Sequence, residues 1–138
     1  MTEGGVLNVS TDGILTAIAG TVNECDLEMS LTVMVGGSLV TGTLVSFKKW
    51  AESVTNAFEA SPGEFTRSFG GAVGRALLQA SDAAKLDSAG EAGPHFLHFV
   101  GARILSGGCE AASVTVWRCP IASVDGFCFG GSRVDPVT

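Results

Sequence analysis

The chain has 138 residues, enough for one domain that buries a core without help from disulfides or metal. Hydrophobic residues make up 46% and charged residues 16%, below the roughly 25% charged share of an average soluble domain, so more apolar surface is present than a monomer hides comfortably and self-association is expected. The formal net charge is −6, with 14 acidic against 8 basic residues and no Lys/Arg-rich run, which argues against phosphate-backbone binding and so against a nucleic-acid partner.

The N-terminal "MTEGGVLNVSTDG" has no basic region and no continuous apolar run of the secretory type. Nor does any apolar run approach the roughly 18 residues that span a bilayer. The expectation is a cytoplasmic protein with no membrane partner. Asp12 is placed to cap a helix over 12–25, in which Ile14, Ile18 and Val22 recur every four residues beside Leu15 and Ala19.

From Leu27 the period changes to two: Leu27, Met29, Leu31, Val33 and Val35 share one face, and Glu28, Ser30 and Thr32 take the other. Gly36-Gly37 suits a two-residue hairpin loop, because glycine adopts positive φ at no steric cost. That loop pairs Val35 with Ser38, Val33 with Val40, Leu31 with Gly42 and Met29 with Leu44. Gly42 then falls on the core side of a strand over 38–47, where a missing side chain either lets the strand bend or avoids a clash.

Phe47, Trp50, Val54 and Phe58 return to helical spacing, with Lys48 and Lys49 on the outer face of the helix start, against its dipole. "SPGE" at 61–64 predicts the opening of a second helix, with Ser61 as cap, Pro62 in the first helical position and Glu64 completing a capping box. Its apolar stripe is Phe65, Phe69, Val73 and Leu77, with Leu78 beside it. Gly70, Gly71 and Gly74, each costing roughly 1 kcal/mol relative to alanine, predict an irregular or kinked helix. The stretch 87–94, "DSAGEAGP", reads as a loop.

"HFLHFVGARIL" is apolar on both alternating sets, as in a central strand covered on both faces. "SGGCEAA" forms a turn, "SVTVWR" a further strand, and "IASVDGFCFGG" one or two more with a bend at Asp125-Gly126. The fold class is therefore α+β, a mainly antiparallel curved sheet of about five strands with an N-terminal helix. Residues 1–138 form a single domain, with 61–93 a helical and loop insertion.

Cys25, Cys109, Cys119 and Cys128 contain no CxxC pair, and Cys119 and Cys128 sit in apolar segments, so the thiols read as reduced, buried and structural, without stoichiometric zinc. His95 and His98 lie three apart and fall on opposite faces of a strand, which prevents them from sharing a metal; each reads as a structural histidine. "GGAVGRALL" lacks the preceding strand and the GK[ST] ending of a phosphate loop, and helix packing explains it better. Cys119 or Cys128 with His98 and Asp125 supplies the residue types of a nucleophilic site, but nothing in the sequence brings them together, and Asp125-Gly126 is accounted for by a turn. No catalytic, cofactor-binding or metal residue is assigned, and no enzymatic activity is expected.

Two segments carry a resemblance. "LTVMVGGSLVTGTLVSFKKWAE", preceded by a helix, and "ARILSG" followed by "VWRCPIASVDGFCFGG" are similar to the gas-vesicle accessory protein U (GvpU) family over roughly 12–60 and 95–130. The glycine placement in the second strand also resembles the Sm-like small barrel, a likeness of fold that does not carry function. The first resemblance implies a non-enzymatic accessory protein that associates with gas-vesicle shells or other accessory proteins and with itself as a homo-oligomer. The second implies, as the alternative, a ring-forming module that binds nucleic acid or a ligand.

Overall fold

The computed structural model describes residues 13–88 and 94–131. Asp12, and the part of the 87–94 loop that lies at 89–93, fall outside them. Among the described residues three helices and five strands follow in the order α1 (Gly13–Cys25), β1 (Met29–Val35), β2 (Ser38–Leu44), α2 (Phe47–Glu59), α3 (Glu64–Ser88), β3 (Phe96–Ser106), β4 (Cys109–Pro120) and β5 (Gly126–Phe129), with a short 3-10 turn at Ile121–Ser123. The strands form one antiparallel sheet in the order β4-β3-β2-β1-β5, so the fold is α+β as expected.

α1 covers one face of this sheet. Leu15, Ala19 and Val22 are buried against Leu31 and Val33 of β1, Val40 and Leu44 of β2, Leu97, Phe99 and Ala102 of β3, and Cys119 at the end of β4. The helix stops where Asp26 adopts φ +53° and the Leu27 N–H bonds back to the Val22 carbonyl, a left-handed cap that reverses the chain into β1. Leu27 is thereby kept out of the strand and left 47% exposed, a departure from the face assigned to it by alternation.

The first hairpin has the expected register, Met29↔Leu44 through Val35↔Ser38, closed by Gly36 and Gly37 at φ +57° and +86°. β2 ends at Leu44, three residues before the predicted boundary, because the Ser46 side chain opens α2. Its Oγ accepts from the Lys49 N–H at 3.1 Å and donates to Asp26 Oδ1 at 2.6 Å, while Asn23 Oδ1 takes the Phe47 N–H at 3.0 Å. Two of the orphan donors of α2 are thus satisfied, the Lys49 N–H by the cap residue Ser46 and the Phe47 N–H by Asn23 of α1. Lys49 pairs with Glu28 across exposed surface, so one of the two lysines at the helix start has a local partner.

Of the two properties considered for Gly42 the structure shows the avoided clash, while the irregularity beside it belongs to β3. The pairing of β2 with β3 slips between Thr41 and Thr43, and the residue β3 inserts there is Gly101 at φ +60°, a bulge of the kind that bends and twists a strand. At the same point β3 approaches so closely that a Cβ on Gly42 would lie 3.1 Å from Ala102 Cα, 3.3 Å from the Val100 carbonyl oxygen and 3.3 Å from the Phe99 ring. Two of these three neighbours are backbone and cannot move aside. Gly42→Val is expected to destabilise the protein by about 1–3 kcal/mol, measured by urea unfolding, with Gly42→Ala less damaging.

The face of the sheet away from α1 is not simply solvated. Thr32 and Thr41 are buried there, their hydroxyls 3.0 Å apart, and Thr32 Oγ1 also reaches the Gly130 carbonyl at 2.9 Å. α2 packs on this face near the start of β3, against His98, and α3 packs along α2.

That helix hairpin departs from expectation in three ways. Ser61 does not cap α3; its hydroxyl donates back to the Ala57 carbonyl, and the helix begins at Glu64. α3 is one uninterrupted α-helix to Ser88, not an irregular one. Gly70 and Gly74 instead face α2, where a Cβ on Gly70 would overlap the Cβ of Phe58 and one on Gly74 would overlap the Thr55 hydroxyl. Close approach along that line turns the first half of the predicted stripe outward: Phe65 is 80% and Phe69 53% exposed, Leu78 is exposed too, and Val73 and Leu77 are half-buried.

Candidate functional site

The most elaborate side-chain cluster lies where α2 crosses β3 and β4. His98 points to the face away from α1 and is buried. Phe47 meets its ring edge-on at 5.0 Å between centroids, and Trp50 lies tilted at 5.2 Å, its indole N–H buried without a hydrogen-bond acceptor. Arg118, directly across the β3–β4 ladder, donates from Nε to His98 Nε2 at 3.0 Å and lies 3.8 Å over the Phe96 ring. Burial, reinforced by the Arg118 charge, pushes the imidazole down to about 3. His98 is therefore neutral at physiological pH, and Nε2, the acceptor of the Arg118 bond, carries no proton.

The cluster organises structure and offers no route to nucleophilic catalysis. Cys119 pairs with Leu97 on the α1 side of the sheet, the face opposite His98, and its burial raises its thiol to about 11. Cys128 is on β5, opposite Thr32. The carboxylate of Asp125 is taken up by the first hairpin: Oδ2 accepts from the Gly36 N–H at 3.0 Å, while its own N–H bonds the Met34 carbonyl at 2.8 Å. The structure thus separates the residues that could have formed a triad, and Asp125 bonds the distant first hairpin and not the backbone of its own turn, where Gly126 has no positive φ. His95 is exposed just before β3. Among the described residues no three His, Cys, Asp or Glu side chains are grouped to hold a metal ion.

The thiols differ from their expected environment. All four are free, but only Cys119 is buried; Cys25 ends α1, Cys109 opens β4, and both, like Cys128, are exposed. An apolar sequence neighbourhood does not bury a residue on the open side of a short edge strand.

The remaining features are surfaces. Phe65 and Phe69 stack at 6.3 Å on α3, with Phe58 of α2 edge-on to Phe69 at 6.0 Å, a ladder of rings standing largely in solvent. A second apolar area flanks α1, a groove of about 460 Å³ lined by Ile14, Ala17, Ile18, Val22, Leu27 and Met29. Phe129 on β5 is 63% exposed. These side chains can bind another apolar surface, with the Glu28 carboxylate, paired to Lys49, at the margin of the groove.

A family model, gas vesicle protein GvpU-like, matches residues 12–132, which takes in every described element from α1 to β5. The chain belongs to the GvpU-like gas vesicle protein family. No curated protein and no solved structure matches it. The match also covers 61–93 with α3, the part of the chain outside the two resembling segments. This GvpU-like protein is a gas vesicle accessory protein, and none of its described helices is long and apolar enough to cross a membrane.

Proposed function

We propose that this GvpU-like protein acts without catalysis, by associating with itself and by docking onto protein surfaces of the gas vesicle, whether the shell or other accessory proteins, during assembly or clustering. The observation that carries this reading is the ring ladder on α3. Two phenylalanines stacked on an exposed helix, in a chain with only 16% charged residues, cost solubility unless a partner covers them. The family supplies the setting in which that partner is found.

Co-flotation with purified gas vesicles tests the reading. The wild-type chain is expected to rise with the vesicle band, and a Phe65→Ser/Phe69→Ser variant, unchanged in circular dichroism because both rings stand outside the core, is expected to stay in the infranatant. Wild-type protein that never floats, or a variant that floats as well as wild type, would overturn it. Retention on RNA that falls steeply with salt would favour the ring-forming nucleic-acid module instead.

A further inference from the structure

We propose that the sheet face away from α1 is the docking surface of the chain's own residues 132–138, which cross it from β2 towards β4 as a strap that holds β5 on the sheet. The inference is independent of the association reading above.

Strand register sets the floor for such a strap. Thr32 of β1, Thr41 of β2, Arg103 of β3 and Ser113 of β4 stand abreast in one row across that face, because each is the cross-strand partner of the next. Two positions nearer the first hairpin, Met34, Leu39, Leu105 and Glu110 form a second row in the same way. α2 meets this face at its other end, around His98. Thr32, Thr41 and Leu105 are nonetheless all buried, and two hydroxyl-bearing residues and a leucine on an outer face reach that state only under a cover.

The chain itself begins that cover at the end of β5. The Gly130 N–H still bonds the Ser30 carbonyl and so extends the ladder, but a φ of +87° at Gly130 turns the backbone over the sheet. Its carbonyl takes the Thr32 hydroxyl at 2.9 Å, and Gly131 follows above Thr41, where a Cβ on it would lie 3.6 Å from Oγ1. Between these two glycines the chain has passed from β1 to β2 along the first row. Arg103 is next in that row.

The seven residues that follow, "SRVDPVT", have the length and the charges to go on. From β2 to the outer edge of β4 is about 10 Å, two strand spacings, and four extended residues span about 13 Å. Asp135, four positions past Gly131, thus comes level with the place where the Arg103 guanidinium leans towards Glu110 of β4, 3.4 Å away. Arg133 and Asp135 bring one charge of each sign to a floor that also presents one of each. The consequence falls on β5. It has only four residues and pairs with β1 alone among the described strands, so a strap running on from its end to Arg103 ties it to the far half of the sheet.

Amide hydrogen exchange by NMR, on the full chain and on a chain ending at Gly131, tests the assignment. Removing 132–138 is expected to speed exchange in the β1–β5 ladder about tenfold or more, and by more than in the β3–β4 ladder. Asp135→Lys in the full chain, which sets like charge against Arg103, is expected to shift the amide resonances of Thr41, Arg103 and Ser113 and to speed β5 exchange about threefold. A β1–β5 ladder unmoved by truncation, an equal rise throughout the sheet, or Asp135→Lys shifts confined to 132–138 would each overturn the assignment. Protection of β5 that grows with protein concentration would place the tail of a second copy on this face and overturn it as well.

Discussion

Replacing Gly70 or Gly74 with alanine is expected to destabilise the protein by about 2 kcal/mol each, while Gly71→Ala in the same helix is expected to stabilise it by about 0.5–1 kcal/mol. Intrinsic propensity treats the three positions alike: an alanine methyl removes backbone entropy from the unfolded chain and favours the helix by roughly 1 kcal/mol at each. Packing separates them. A methyl on Gly70 would overlap the Cβ of Phe58, an atom fixed by the α2 backbone, and a methyl on Gly74 would overlap the hydroxyl of Thr55, whose rotamer is held by its 3.0 Å bond to the Ala51 carbonyl. Neither neighbour can swing away, so the helices must part, at an overpacking cost of about 3 kcal/mol that exceeds the propensity gain. At Gly71 the nearest atom is Arg75 Nη1 at 3.8 Å, the mobile end of a long side chain, and only the propensity term remains. Urea unfolding of the three single variants reads the sign directly. Stabilisation by all three would mean that α2 and α3 do not pack along that line.

Lowering the pH from 7 to 5 is expected to cost about 2 kcal/mol through His98 alone. In the unfolded chain this imidazole titrates near its ordinary 6.5, while in the fold burial first and the Arg118 charge second hold it near 3. The unfolded state therefore takes up a proton that the folded state refuses. The stability associated with a neutral His98 is fully present above pH 6.5 and is lost, by about 1.4 kcal/mol per unit, as the pH falls from 6.5 towards 3. His98→Gln isolates the effect, because the amide oxygen can still accept from Arg118 Nε but does not titrate. Across pH 5–7 the variant, less stable overall for losing the contacts with Phe47 and Trp50, should show a pH slope shallower than wild type by that amount. Parallel slopes for the two proteins would show that His98 ionises freely in the folded state.

Where a local signal also closes geometrically, the sequence was sufficient. Two glycines between alternating apolar arms admit only one register for a two-residue loop, and that register determined which residues of β1 and β2 face α1 and where Gly42 would sit. The four-residue recurrence of Ile14, Ile18 and Val22 located α1 but only part of its buried face: Val22 and the flanking Leu15 and Ala19 are buried, while Ile18 is half-buried and Ile14 is 61% exposed. Family membership was legible in the two terminal segments for the same reason: turns and bends constrain residue type locally.

Tertiary structure decided the rest. In α3 the hydrophobic stripe and the glycine line compete for α2, and close backbone approach won, which put Phe65 and Phe69 outside and produced the surface on which the proposed function rests. The partnership of His98 with Arg118 was equally hidden. Counting back from Gly107-Gly108 would set His98 opposite Trp117, but a slip in pairing between Ile104 and Leu105 moves the ladder by one residue and brings Arg118 across instead. A bulge of one residue leaves no mark on hydrophobic periodicity, because it is stabilised by contacts with neighbouring strands that meet only in the folded sheet. The open edge of β4 is of the same kind: a strand is legible from its composition, but whether anything lies beside it depends on the order of all five strands.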